Sequence, residues 1–179
     1  MNLMEIFKKL NNPTDKGTCH NYIEIYDKEL DKKDNITLLE IGIHNGGSLV
    51  LWDNWFNNAK IYGVDPYFEF NGVPPKCVSD LPYEILTIDS TNKEQSNIFK
   101  NEMFDYIIDD GVHTSDFQIK TFDIYINKLM PSGKYFIEDI ASDEDLNILK
   151  NHLQGFDYKV IDLRNLGRYD DLMIIIKKH

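Results

Sequence analysis

The hydrophobic positions of this chain fall into short apolar runs that alternate with stretches of helical periodicity. Each apolar run is bounded by polar or glycine residues, which is typical of a buried parallel strand. The predicted strands are ITLLEIG (36–42), KIYGVD (60–65), EILTID (84–89), FDYIIDD (104–110) and PSGKYFIED (131–139). The predicted helices cover residues 2–10, 21–30, 48–56, 90–100, 113–130 and 143–153. Strands that alternate with helices predict a doubly wound α/β sheet with right-handed crossovers.

The last part of the chain breaks this alternation. The apolar runs YKVIDLR (158–164) and DLMIIIKK (171–178) are joined by the short loop NLGRYD, with no helix between them. A connection of that length allows only antiparallel pairing. We therefore predict a Rossmann-like, doubly wound and mostly parallel sheet that ends in an antiparallel hairpin. The whole chain, 1–179, is predicted to be a single domain in which residues 1–34 form an N-terminal helical cap.

Length and composition are consistent with one globular domain, since the chain has 179 residues, of which 42% are hydrophobic and 27% charged. No apolar run approaches the roughly 20 residues of a membrane span, and MNLMEIFKKL lacks the pattern of a signal peptide. Cys19 and Cys77 have no metal-like spacing and are predicted to be reduced thiols. We expect a cytoplasmic protein without membrane association.

The formal net charge of −11 restricts the class of partner. Nucleic-acid binding needs a basic surface that neutralises phosphates, so a nucleic-acid substrate is disfavoured. Docking on anionic lipid is disfavoured for the same reason. We therefore expect neither a nucleic-acid nor a membrane partner.

A glycine turn, LLEIGIHNGGS, follows the first predicted strand. Glycine lets the backbone turn sharply and approach a ligand closely. The spacing Glu40-x-Gly42-x-x-x-Gly46-x-Ser48 differs from the G-x-G-x-x-G of dinucleotide-binding proteins. The acidic residue before the turn suits a ligand that carries an amino group and a sulfonium. A purely structural glycine turn is the alternative.

Carboxylates also end the second and third predicted strands, at Asp65 and Asp89. An acidic residue at the end of the second strand can accept hydrogen bonds from both ribose hydroxyls of a nucleoside cofactor. A cap on the following segment is the alternative for both residues.

The fourth and fifth predicted strands end in paired acids, Asp109-Asp110 and Glu138-Asp139. Because the carboxyl ends of parallel strands line one crevice, we expect the four carboxylates to converge there. Like charges at that distance repel unless a cation neutralises them, and oxygen ligands favour Mg²⁺ without excluding Mn²⁺ or Ca²⁺. Helix caps are the alternative for each acid alone.

His113 lies three residues beyond the first acidic pair. An imidazole in that position is suited to proton transfer near neutral pH, which makes His113 the candidate general base. The alternatives are a polar residue in the first turn of a helix and a simple ionic partner of the acids.

These segments resemble a known group of class I S-adenosylmethionine-dependent methyltransferases. The group comprises the metal-dependent sugar O-methyltransferases of macrolide and anthracycline-like biosynthesis, together with cephalosporin hydroxylase-like proteins. The matching segments span nearly the whole chain and are DKGTCHNY with Tyr26, LLEIGIHNGGSLVLW, IYGVDPY, FDYIIDDGVHT and FIEDI, and GRYDDLMIII near the end is similar as well.

The resemblance implies a role for each candidate residue. The residues implied for binding S-adenosylmethionine are Glu40, Gly42, Gly46, Ser48, Asp65, Asp89 and Asp109. Asp110, Glu138 and Asp139 are implied as ligands of Mg²⁺ or another divalent cation, with His113 as general base. In DKGTCHNY, Lys16, His20 and Tyr22 are the polar candidates for the cofactor or acceptor pocket, and an ordered loop is the alternative.

The expected function is therefore S-adenosylmethionine- and metal-dependent O-methylation of a sugar hydroxyl, on a polysaccharide precursor or a glycosylated natural product. A small amine or a catechol-type hydroxyl is the alternative acceptor. The glycine spacing argues against a nicotinamide-dependent oxidoreductase, and the retained acids and histidine argue against a non-catalytic subunit. The antibiotic enzymes carry an additional N-terminal domain, so we expect an open acceptor pocket, or one that another subunit of a dimer or tetramer completes.

Overall fold

A computed structural model of the protein describes residues 1–11 and 13–179, which form one seven-stranded sheet flanked by helices. The strands are β1 (Thr37–Ile41), β2 (Lys60–Val64), β3 (Glu84–Leu86), β4 (Phe104–Asp109), β5 (Leu129–Ile137), β6 (Asp157–Asp162) and β7 (Leu172–Lys177). The helices are α1 (Leu3–Lys9), α2 (Ile23–Glu29), α3 (Gly47–Trp55), α4 (Lys76–Ser79), α5 (Lys93–Ser96), α6 (Ser115–Tyr125) and α7 (Asp143–His152).

The strand order is β3-β2-β1-β4-β5-β7-β6. The first five strands in this order are parallel, and β7 runs antiparallel between β5 and β6. The predicted parallel sheet with an antiparallel ending is confirmed. The chain leaves β1 toward β2 on one side and later returns to β4 on the other, so the switch point of the sheet lies between β1 and β4.

The register brings the carboxyl ends of the central strands to one level. Ile41 pairs with both Val64 and Asp109, and Asp109 pairs with Ile137. The residues that follow β1, β2, β4 and β5 therefore emerge at the same edge of the sheet, as the sequence predicted for the acidic pairs.

Alternate residues of each central strand enter two separate cores, as the two-residue period of a strand requires. On β1, Leu38 faces the core formed with α1, α2 and α3, whereas Leu39 faces the opposite core with α6. The N-terminal helices belong to the first core through Leu3, Tyr26 and other apolar residues, and Trp52 packs against Tyr26 there. The predicted helical cap thus covers one face of the sheet.

Two predicted helices are shorter than the pattern indicated. Residues 126–128 form a 3₁₀ turn after α6, and β5 already begins at Leu129 because Leu129 pairs with Phe104 before a register shift in the ladder. α5 is confined to Lys93–Ser96, and it begins after Asn92 because the Asn92 side chain caps it by accepting from the amides of residues 94 and 95.

Within the described residues, no helix has the length and apolar character needed to cross a membrane. Both cysteines, Cys19 and Cys77, are exposed free thiols.

A substitution at Gly42 measures how closely the backbone is packed at this edge of the sheet. The φ of Gly42 is +80°, and a Cβ atom there would lie 2.1 Å from the carbonyl oxygen of Asp110. Gly72 has a similar φ of +76° but no heavy atom within 4 Å of its added Cβ, so it is the matched control. Both alanine variants pay roughly 1–2 kcal/mol for the left-handed backbone, and Gly42→Ala should lose about 1–3 kcal/mol more through overpacking.

Urea unfolding of the wild type, Gly42→Ala and Gly72→Ala measures this difference. Equal losses of unfolding free energy in the two variants would show that the edge at Gly42 relaxes freely.

Candidate active site

A cavity of about 790 Å³ opens where β1, β2 and β4 end. Its floor and sides come from the loops after these strands and after β3, and its roof comes from the N-terminal segment. The lining includes Thr14, Asp15, Gly42, Ser48, Asp65, Asp89, Asp110 and His113. The position is the one that ligands occupy in open α/β sheets.

The glycine turn forms the floor of the cavity and starts α3. Gly46 has a φ of +75° and precedes the first residue of that helix. A Cβ atom on Gly47 would lie 1.7 Å from the carbonyl oxygen of Pro13. The N-terminal segment therefore packs directly on the amino end of α3, and the cavity is covered at this point by the protein's own backbone.

Asp65 and Asp89 both line the cavity and both cap their own loops. Asp65 accepts hydrogen bonds from the amides of Ile43, His44 and Tyr67 at 2.8–3.2 Å, which ties the glycine turn to the end of β2. Asp89 accepts from the amide and hydroxyl of Thr91. The capping alternative and the cavity position are thus both present in the structure.

Three of the seven residues predicted to bind the cofactor do not line this cavity: Glu40, Gly46 and Asp109. The Glu40 carboxylate is fully buried and accepts a hydrogen bond of 2.8 Å from Trp52 Nε1. Burial raises the pKa of Glu40, against the lowering effect of Lys16. Burial likewise raises the pKa of Asp109 to about 7, although the Tyr135 hydroxyl donates to its carboxylate. Any effect of Glu40 and Asp109 on a ligand in the cavity is indirect.

Lys16 is the cation at the centre of the acidic cluster. Its ammonium lies 2.6 Å from Asp110 Oδ2, 2.5 Å from Glu138 Oε2 and 3.4 Å from Glu40 Oε1, with 1% of its side chain exposed. Burial alone lowers the pKa of a lysine, but the charges of Asp110, Glu138 and Glu40 outweigh it and raise the pKa of Lys16. Lys16 is therefore charged, and it joins the ends of β1, β4 and β5.

Glu138 faces the interior rather than the open cavity. Its second oxygen accepts a hydrogen bond from the Tyr26 hydroxyl, and its side chain is 1% exposed. Burial raises the pKa of Glu138 well above its usual value, with Lys16 acting in the opposite direction. Both of its oxygens already have partners, so a cation would have to share one of them through a remaining lone pair.

Asp110 and His113 line the cavity, and the buried Asp139 lies directly beside them. One donor atom from each lies within 4.8 Å of the others. His113 Nε2 is 3.3 Å from Asp110 Oδ1 and 3.7 Å from Asp139 Oδ2. Burial lowers the pKa of His113, but the Asp110 hydrogen bond and the nearby negative charges raise it above its usual value.

The arrangement of charge fits a divalent cation. Burial raises the pKa of Asp139, and the neighbouring Asp110 raises it further because two like charges face each other. The single ammonium of Lys16 faces Glu40, Asp110 and Glu138 from the interior, whereas Asp110 Oδ1 and Asp139 Oδ2 lie on the side of His113. Hard cations prefer such carboxylate oxygens.

In the sequence analysis, Lys16, His20 and Tyr22 were identified only as polar residues of an N-terminal loop that could belong to the cofactor or acceptor pocket. The contacts of these three residues with Asp110, Asp171 and Asp139 were not predicted, because the partners lie at strand ends and in the β6–β7 loop, 94, 151 and 117 residues away. Asp171, which is fully buried against His20, was missed altogether. The available signal was the concentration of charged and aromatic residues in DKGTCHNY, which a solvated loop has no need to carry.

No protein-family model matches the chain. Among curated proteins, a tetracenomycin-pathway enzyme of Streptomyces olivaceus is 25% identical over 144 residues, which are 74% of this chain and 36% of the relative. Its name is 8-demethyl-8-alpha-L-rhamnosyl tetracenomycin-C 2'-O-methyltransferase. Mycinamicin VI 2''-O-methyltransferase of Micromonospora griseorubida is 27% identical over 135 residues, 69% of this chain and 32% of the relative. The chain thus spans about a third of the length of these relatives.

The fold of the chain is similar to that of solved methyltransferase structures. A methyltransferase from the mycinamycin biosynthetic pathway, in complex with Mg and SAH, superposes with a TM-score of 0.75 at 21% identity, over 100% of this chain and 55% of that one. A second structure, which also contains mycinamycin VI, gives a TM-score of 0.75 at 20% identity, over 99% of this chain and 53% of that one. The protein therefore has the fold of class I S-adenosylmethionine-dependent methyltransferases, and its sequence relatives are named as sugar O-methyltransferases.

Replacing Lys16 by methionine tests its role as internal counter-ion. Methionine keeps much of the volume but leaves the carboxylates of Glu40, Asp110 and Glu138 without their buried cation. Removal of one partner from a buried ion pair costs about 3–5 kcal/mol, so Lys16→Met should lose stability of this order in urea unfolding at pH 7.5. The control is Lys33→Met, because the Lys33–Asp31 pair is exposed and worth at most about 1 kcal/mol.

A Lys16→Met protein as stable as Lys33→Met would contradict this role. It would mean that the carboxylates are already neutralised by protons, not by the ammonium.

Proposed function

We propose that the protein transfers a methyl group from S-adenosylmethionine to a sugar hydroxyl with the help of a divalent cation. One observation carries the proposal: the cavity wall that contains Gly42, Asp65 and Asp89 continues directly into Asp110 and His113, beside Asp139. The proposed site of the methyl donor and the carboxylate–histidine cluster would thus share one crevice. The names of the sequence relatives support the same activity.

In this proposal Gly42, Ser48, Asp65 and Asp89 bind the methyl donor. The backbone at Gly42 leaves room for close approach, and the Asp65 carboxylate, already fixed by three amides, is oriented to accept ribose hydroxyls. The donor supplies the reactive methyl sulfonium, and the protein supplies orientation and electrostatics. Three residues do not line the cavity and contribute indirectly, through the shape and charge of the cavity wall: Glu40, Gly46 and Asp109.

Asp110 and Asp139 are the proposed cation ligands, with Glu138 as the third through a lone pair that Lys16 and Tyr26 leave free. A divalent cation at this point supplies positive charge that lowers the pKa of a nearby sugar hydroxyl. His113 is the proposed general base for the proton of that hydroxyl, and its Nε2 atom lies 3.3 Å from Asp110 Oδ1. The negative charge of Asp110 and Asp139 then stabilises the protonated imidazole.

The chemical class of the methyl acceptor is part of the proposal. A sugar with two neighbouring hydroxyls presents the oxygen pair that a cation can hold, and a catechol presents a similar pair. A small amine lacks it. The cytoplasmic location and the homo-oligomeric state, dimer or tetramer, stay predictions from the sequence.

Calorimetric titration of the chelator-treated protein, first with S-adenosylmethionine and then with Mg²⁺, tests the proposal directly. We expect both to bind. Binding of S-adenosylmethionine without Mg²⁺ would overturn the proposed role of the cation. Binding of a nicotinamide cofactor in place of S-adenosylmethionine would overturn the interpretation of the glycine turn as a methyl-donor site. A parallel screen of glycosides, catechols and amines for methyl transfer distinguishes the acceptor classes.

His113→Ala should lower kcat by about 10²–10⁴-fold, the usual contribution of a general base, while the Kd of S-adenosylmethionine stays unchanged. His152→Ala is the control, since His152 pairs with Asp123 outside the cavity and should retain full activity. A His113→Ala enzyme with a near wild-type rate would exclude His113 as the base.

A further inference from the structure

Asp139 is held in a specific orientation by residues of the N-terminal segment. Its φ is +52°, which is a left-handed backbone conformation that residues other than glycine rarely adopt. The Tyr22 hydroxyl donates to Asp139 Oδ1 at 2.7 Å and also lies 3.4 Å from the Asp139 amide, whose hydrogen it accepts. One hydroxyl group thus contacts both the side chain and the backbone of Asp139, which fixes the carboxylate relative to the end of β5.

His20 adds a second contact to the same carboxylate oxygen. Its Nδ1 atom lies 3.3 Å from Asp139 Oδ1 and 2.7 Å from Asp171 Oδ1, and its ring stacks on Tyr22. Because ionised carboxylates only accept hydrogen bonds, Nδ1 must carry the hydrogen. Both His20 and Asp171 are buried, so this contact is protected from water.

Asp171 anchors the arrangement to the loop between β6 and β7. Its second oxygen accepts hydrogen bonds from Asn21 Nδ2 at 2.9 Å and from the Arg168 amide at 3.3 Å. The loop also approaches Tyr22, whose hydroxyl lies 3.1 Å from the Asp170 carbonyl oxygen. The N-terminal segment and the C-terminal hairpin therefore meet at Asp139 through hydrogen bonds.

The consequence is a division between the two oxygens of Asp139. Oδ1 is occupied by Tyr22 and His20, whereas Oδ2 faces His113 Nε2 at 3.7 Å, on the side of Asp110. Partners that orient a ligand carboxylate in this way typically contribute 10–100-fold to metal affinity.

We propose that Tyr22, together with His20 and Asp171, positions Asp139 so that its Oδ2 atom is presented to the divalent cation. Tyr22 and His20 are positioning residues that act through Asp139. This inference rests on the proposed function, because it assumes that Asp139 is a cation ligand. A purely structural role, in which the same contacts only hold the two termini of the domain together, is the competing explanation.

Tyr22→Phe removes the hydroxyl and retains the ring. We expect the Kd for Mg²⁺, measured by calorimetry on the protein saturated with S-adenosylhomocysteine, to rise by about 10–100-fold. The number of sites and the Kd for S-adenosylhomocysteine should not change. The matched control is Tyr125→Phe, because Tyr125 is a fully buried tyrosine whose hydroxyl has no hydrogen-bond partner among the residues that the structure describes.

The calorimetric data separate the two explanations. A structural role predicts fewer binding sites or a lower Tm at an unchanged Kd for Mg²⁺, and that result would overturn the proposal. A wild-type protein that binds no Mg²⁺ would overturn it as well, together with the metal part of the proposed function. Mg²⁺ binding that is equal in the wild type and Tyr22→Phe would overturn the positioning role alone.

A second pair of variants tests the same proposal at His20, and it decides the matter if Tyr22→Phe does not fold. Asparagine can place an N–H donor close to the position of Nδ1, whereas alanine cannot. We expect His20→Ala to weaken Mg²⁺ binding and His20→Asn to restore most of it. Equal Mg²⁺ affinities in His20→Ala, His20→Asn and the wild type would contradict the role of His20.

Discussion

The ammonium of Lys16, enclosed by carboxylates from three neighbouring strand ends, is the interaction on which the candidate site depends. Glu40 is the penultimate residue of β1, Asp110 and Glu138 directly follow β4 and β5, and the charges of all three meet at this one cation. Burial of several carboxylates without a counter-ion is strongly unfavourable. The ion pairs therefore stabilise the acidic edge of the sheet and also hold the segment around Lys16 against it.

The same segment connects both halves of the site. Thr14 and Asp15 cover the cavity next to the glycine turn, and Tyr22, seven residues after Asp15, fixes the carboxylate of Asp139. A displacement of this short segment would change the cavity wall, the position of the Lys16 ammonium and the orientation of the Asp139 carboxylate at the same time. The cavity and the acidic cluster are, in this sense, one structural unit assembled around residues 13–22.

Residues of the cavity wall combine a capping contact with a position at the cavity surface. Asp65 accepts hydrogen bonds from three backbone amides and still lines the cavity, so the contacts that cap its loop also fix its carboxylate there. Glu40 and Glu138 represent the opposite case, because their carboxylates are directed inward. They contribute charge and shape to the site from behind its surface.

The sequence alone determined the order of strands and helices along the chain, the antiparallel ending and the convergence of Asp110, Glu138 and Asp139 at one edge. These features follow from local hydrophobic periodicity and from the rule that parallel strands end at one edge. The expected convergence of the fourth acid, Asp109, was wrong, because its carboxylate is buried against Tyr135. Only the tertiary structure decided which acids face the cavity and which face Lys16. Side-chain direction depends on packing against segments far away in the chain, as the contacts of Lys16 with Glu138 and of His20 with Asp171 illustrate. No local pattern encodes such pairs.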